Sequence, residues 1–67
     1  MTKRQSEMLE IIKAFIAEHN YSPSYRELQQ ATGRRSVSGV ARIVDALQAQ
    51  GYIEKRLAMA RSIKVLE

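Results

Sequence analysis

Between positions 34 and 42 the chain gathers Arg34, Arg35, Ser36, Ser38, Gly39 and Arg42. Guanidinium groups present rigid forks of N–H donors that match phosphate oxygens or the paired acceptors on a guanine edge, and serine hydroxyls both donate and accept. A glycine in such a run lets the backbone lie close to a ligand, at roughly 0.5–1 kcal/mol relative to alanine in a helix interior. This is recognition chemistry. Catalysis has no comparable set of residues. The chain has one histidine, His19, and no cysteine. There is no nucleophile elbow, no histidine spacing for a metal and no glycine-rich phosphate loop, and the carboxylates are scattered along helix faces. No enzyme activity, metal or cofactor is expected.

The elements that must position these residues follow from apolar spacing. Over Ser36 to Gln50, Val37, Val40, Ile43, Val44 and Leu47 recur at three- and four-residue steps, so they share one stripe of a helix. Arg35, Ser38, Arg42 and Asp45 fall opposite it. Ser36 suits the N-cap, and Gly51 closes the helix. Upstream, Ser24-Tyr25-Arg26-Glu27 reads as a capping box, with Pro23 and Leu28 spaced as a hydrophobic staple. A short helix therefore starts near Tyr25, buries Leu28 and Ala31, and ends at Gly33. Short helix, turn at Gly33-Arg34-Arg35, longer helix: this is the helix-turn-helix layout.

A first helix, about Lys3 to His19, opens on the capping box Thr2-Lys3-Arg4-Gln5 and buries Met8, Ile11, Ile12, Phe15 and Ile16. His19 near its end is explained by the helix dipole. Asn20-Tyr21-Ser22-Pro23 breaks it, since proline and the residue before it resist the α conformation. After the long helix, Tyr52 to Arg56 has strand character, and Ile63 and Val65 alternate with Ser62 and Lys64. Leu57 to Arg61 would join them as a hairpin. The expected fold is mainly α with a small β-hairpin, a three-helix winged helix-turn-helix, in one domain spanning residues 1–67.

Charge agrees with this layout. Among the first 33 residues four cations balance four carboxylates, whereas the remainder carries seven cations against three carboxylates, the whole net charge of +4. An excess confined to one half favours a polyanion-facing surface. With 45% hydrophobic residues the chain can form a core without disulfides. No apolar run is long enough for a membrane span, and a cytoplasmic protein with no membrane partner or small-molecule ligand is expected.

Several motifs together resemble the N-terminal DNA-binding domain of LexA repressors: Thr2-x-Arg4-Gln5-x-Glu7, Ser22-Pro23-Ser24 before Arg26-Glu27-Leu28, Gly33-x-Arg35-Ser36, and Ala46-Leu47 ahead of Gly51-Tyr52-Ile53. Arg35-Ser36-x-Ser38-Gly39-Val40-x-Arg42 is most similar to a branch with a Ser-Gly pair where other members have Asn-Ala-Ala. The resemblance implies a winged helix-turn-helix that represses DNA-damage (SOS) response genes. It implies base-edge contacts by Ser36, Ser38, Gly39 and Arg42, and a wing contact by Arg61. Leu57-Ala58-Met59-Ala60 departs from the family's usual wing tip. The self-cleaving serine peptidase region of the family has no counterpart in these 67 residues.

From the residues themselves, Arg42 either forks onto a guanine or pairs with phosphate, Ser36 either caps the helix or contacts a base, and Gly39 either admits close approach or is merely tolerated. Arg34, Arg35, Lys55, Arg56 and Arg61 are expected on phosphates. The expected partner is double-stranded DNA, with homodimerisation on paired half-sites weak or absent for this segment by itself. Two rival readings use the same residues: a winged-helix module for protein interaction or dimerisation through Leu57 to Ala60, and a winged-helix DNA-binding regulator of replication or plasmid maintenance.

Overall fold

The computed structural model describes residues 2–55 and 63–66. Helix α1 spans Lys3–His19, α2 Tyr25–Thr32 and α3 Val37–Ala49, followed by strands β1, Ile53–Glu54, and β2, Lys64–Val65. The strands pair antiparallel with Ile53 opposite Val65 and Glu54 opposite Lys64. The result is three helices and a small hairpin sheet, as the residue pattern predicts. Arg56 and the expected Leu57 to Arg61 connection lie outside the described residues.

Each helix starts where a side chain satisfies N–H groups that the helix leaves unpaired. Thr2 Oγ1 accepts from Gln5 N–H (3.2 Å), and Gln5 Oε1 accepts from Thr2 N–H (3.2 Å). Ser24 and Glu27 repeat the exchange at 3.2 and 2.8 Å. Ser36 caps α3 by accepting from Gly39 N–H at 3.4 Å. The ends are equally local. Asn20 turns left-handed (φ 63°) and donates its N–H to the Ile16 carbonyl at 2.8 Å, so Asn20, not Pro23, ends α1; asparagine tolerates this conformation better than most residues. Pro23 is instead fully buried beside the core. At the end of α3, Gly51 (φ 86°) lets Gly51 and Tyr52 donate to the carbonyls of Gln48 and Leu47, the two bonds of a Schellman motif.

Among the described residues the core is wholly apolar: Met8, Leu9 and Ile12 of α1, Leu28 of α2, Val40, Val44 and Leu47 of α3, and Ile53 and Ile63 of the hairpin. Leu28 and Pro23 are both fully buried, as the staple spacing predicts. Four positions depart from the expected faces, among them Phe15, which is only half-buried and meets His19 and Tyr21 at the end of α1. Leu9 is buried although it sits about 100° round from Met8, because α1 packs against both α2 and α3 and hides a wider arc than one stripe. Ala31 is exposed, since eight residues of α2 give it little more than two turns, of which Leu28 is buried and Tyr25 packs partly against the core. Val37 is 36% exposed: as the first residue of α3 it precedes the turn that meets α1 and α2.

Besides burying Ile53 and Ile63, the hairpin is hydrogen-bonded to the loop between α1 and α2 and across its own two strands. Ser22 Oγ accepts from Ile63 N–H (3.0 Å), and Leu66 N–H donates to the Tyr52 carbonyl (3.0 Å). Across the helices, the Gln50 side-chain amide donates to Gln5 Oε1 at 2.8 Å, linking the end of α3 to the start of α1.

Leu47→Ala should destabilise the chain by about 2–5 kcal/mol, the usual range for emptying a fully buried leucine site. Val37→Ala should change stability by no more than about 0.5 kcal/mol. Urea denaturation followed by circular dichroism checks both; comparable losses would return Val37 to the core.

Candidate nucleic-acid interface

Burial of Val40, Val44 and Leu47 fixes which way α3 faces. With these at 0% exposure, Ser38, Arg42 and Asp45, spaced four and three residues apart on the opposite side, must point to solvent, and all three are exposed. Gly39 is half-buried beside them, and Ser36 and Arg35 are exposed at the helix start. Five of the six residues singled out in the sequence therefore share one outward surface or its edge.

The sixth, Arg34, is half-buried in the turn. Gly33 (φ 70°) reverses the chain, Arg34 N–H returns to the Gln29 carbonyl (3.2 Å), and the Gln29 side-chain amide donates to the Arg34 carbonyl (3.3 Å). Gln29, which no sequence motif marks, thus grips the turn from both sides. The Arg34 stem runs beside α3: a methyl group at Gly39 would meet Arg34 Cδ at 3.8 Å and Nη1 at 4.0 Å, ordinary van der Waals contact. A side chain at position 39 is thus not excluded by packing within this chain.

Ser36 performs its cap with an oxygen lone pair. Its hydroxyl proton remains available to donate outward, so capping and recognition are compatible in one group. Among the described residues Arg34, Arg35 and Arg42 are in no ion pair; Lys13 pairs with Glu10 and Lys55 with Asp45. Arg34 lines a hollow with Glu7 and Glu10 of α1 without pairing with either. Arg26 of α2 lines a shallow hollow with Gln29, Gln30, Gly33 and Arg34. That places it next to the expected phosphate-binding cations, although the sequence pattern assigns it to a cap.

Lys55, expected on phosphate, is engaged within the chain. Its ammonium donates to Asp45 Oδ1 at 2.5 Å and to Tyr25 Oη at 2.6 Å, and lies 5.3 Å from the Tyr25 ring centroid. The hydrogen bond that Lys55 donates to Asp45, then the one it donates to Tyr25, raises the Lys55 pKa above its ordinary 10.5, against a smaller lowering by burial. Arg56 and Arg61 lie outside the described residues. His19 stacks near Phe15 (centroids 4.3 Å) and Tyr21 (5.5 Å), a structural aromatic cluster at the end of α1.

Among the described residues no three metal-binding side chains converge, and no helix is long and apolar enough to cross a membrane.

The family model for the LexA DNA binding domain matches residues 1–62. The chain is 40% identical over 62 residues to LexA repressor 1 of Nocardia farcinica, covering 92% of this chain and 29% of that protein. It is 39% identical over 67 residues to the LexA repressor of Caldicellulosiruptor saccharolyticus, covering all of this chain and 33% of that protein. With the LexA repressor of Bacillus mycoides it shares 39% over 66 residues, covering 98% and 32%. The chain thus spans about a third or less of these relatives' length.

Because Lys55 holds its proton more tightly in the folded than in the unfolded chain, its pairing contributes fully to stability below the ordinary value of 10.5 and loses that contribution as pH rises through the higher folded value. The stability difference between the unsubstituted chain and Lys55→Met should therefore be constant from pH 7 to 9 and shrink above about 10.5. Denaturant titrations across that range check it; a difference that grew with pH would have the wrong sign.

Proposed function

We propose, for a chain that belongs to the LexA DNA-binding domain family, that it recognises specific double-stranded operator DNA with the N-terminal half of α3 in the major groove, as the DNA-binding part of a LexA-like repressor of DNA-damage (SOS) response genes. The observation that supports this most is the pairing of two facts about α3. Its buried seam leaves its roll no freedom, and the face so exposed begins with arginines that are in no ion pair among the described residues and with short polar groups.

The division of labour follows from reach and chemistry. Arg42, on the exposed face one turn beyond Ser38, forks onto a guanine edge, a contact worth roughly 1–3 kcal/mol of discrimination. Ser36 and Ser38 reach base edges or adjacent phosphates, and Gly39 keeps the helix backbone close to the groove. Val37, exposed between the two serines, offers an apolar contact suited to a thymine methyl. Arg34 and Arg35, joined by Arg26 across the turn, bind phosphates and set register without reading sequence. Arg56 and Arg61 extend that phosphate-binding set beyond the described residues. The proposed operator carries paired half-sites, each taken by one copy of the domain, and the place of action is the cytoplasm.

Selection of bound duplexes from a random pool, followed by titration across salt, tests the reading. Arg42→Ala should bring cognate and scrambled affinities together, whereas Arg35→Ala should weaken both about equally and lower the salt slope by about one. Equal loss for Arg42→Ala would remove its base-reading role. Gly39→Ala separates stability from recognition: the chain should gain roughly 0.5–1 kcal/mol while cognate affinity falls. Unchanged affinity would make the glycine incidental.

A further inference from the structure

One ammonium group touches three elements. Lys55 follows β1 directly, Tyr25 opens α2, and Asp45 lies on the exposed face of α3 one turn beyond Arg42. The Asp45 side chain is 61% exposed while that of Lys55 is only 21% exposed. A flexible lysine ordinarily keeps its head in water; here it is folded back under the tyrosine ring and onto the carboxylate. Ion pairs between fully exposed groups contribute little, but this one is reinforced by a second acceptor and a π face on a less exposed cation.

Its position matters for DNA. Asp45 shares a face with Ser38 and Arg42, so a bare carboxylate there would repel phosphate, and a free Lys55 would attract it. Joined, they present little net charge where the polar face of α3 passes from its reading end to its anchoring end.

Resting on the DNA-binding reading of α3, we propose that Asp45, Lys55 and Tyr25 form a neutral clamp in which Asp45 limits sequence-independent DNA affinity by withholding Lys55 from phosphate while fixing the root of the hairpin on α3. Asp45 is thus a specificity-determining residue that need not touch a base.

The test compares the unsubstituted chain with Asp45→Asn, Lys55→Met and the double variant, by fluorescence anisotropy with a scrambled duplex between 50 and 300 mM salt. Asp45→Asn should steepen the salt slope by about one and tighten scrambled-duplex binding roughly fivefold near 0.1 M salt, the scale of one added phosphate contact. The double variant, losing a pair of no net charge, should match the unsubstituted slope within about 0.3. NMR titration of the Lys55 side chain supplies a readout independent of DNA: its pKa should drop in Asp45→Asn. A double variant whose slope falls by about one would make Lys55 a phosphate contact and overturn the clamp. An unchanged Lys55 titration in Asp45→Asn would overturn it as well. Failure of the unsubstituted chain to bind duplex in a salt-dependent way would overturn the DNA-binding reading itself, and the limiting role of Asp45 with it.

Discussion

The roll of α3 about its own axis is set by three side chains, Val40, Val44 and Leu47, sealed against Met8 and Ile12 of α1 and Leu28 of α2. Rotating the helix by one residue, about 100°, would expose this seam and bury Ser38 or Arg42 without partners. The apolar cost of the first and the desolvation cost of the second act in the same direction. The described residues hold no buried polar or charged side chain, so no competing polar contact inside the core could favour another roll. The exposure of Ser38 and Arg42 on the opposite face follows from that constraint.

What remains is where the helix begins and how it is aimed, and both are decided by backbone chemistry at its start. Gly33 allows the reversal, Gln29 holds Arg34 through two hydrogen bonds, and Ser36 stops the turn and starts the helix. At its far end the Schellman bonds of Gly51 and Tyr52 deliver the chain directly into β1, where Ile53 returns to the core. A short chain with no cysteine thus holds α3 by fixing both of its ends and sealing its middle. Among the described residues the guanidinium groups of Arg34, Arg35 and Arg42 are in no ion pair, while Glu10 pairs with Lys13 and Glu27 accepts from the Ser24 backbone.

Much of this was legible in the residues. Capping boxes at Thr2 and Ser24, the glycine at 33 and the serine at 36 are local signals whose physics involves only neighbours in sequence, and the helix bounds they predict are those observed. The resemblance to the LexA DNA-binding domain matches the family model over residues 1–62. Positions set by several elements at once were less legible. Leu9 is buried because two helices flank α1, Val37 is bare because the packing begins one turn later, and Ala31 is bare because α2 is short. Lys55 is the clearest case: a lysine beside Arg56 in a basic segment reads as a phosphate contact, and only the juxtaposition of α2, α3 and β1 reveals Tyr25 and Asp45 waiting for it. Whether Ser36, Ser38, Gly39 and Arg42 read bases is a property of the complex, which neither spacing nor the free fold contains.

The most direct measurement is therefore made on the complex. Isotope-filtered NOE spectra of the labelled chain with a selected half-site duplex report which protein protons lie within about 5 Å of thymine methyl and cytosine H5 protons, both of which line the major groove. Cross-peaks from Val37, Ser38, Gly39 and Arg42, and none from Gln48 or Ala49, are the expected result. Major-groove cross-peaks arising instead from α1, or from the anchoring end of α3, would contradict the assignment of the reading surface.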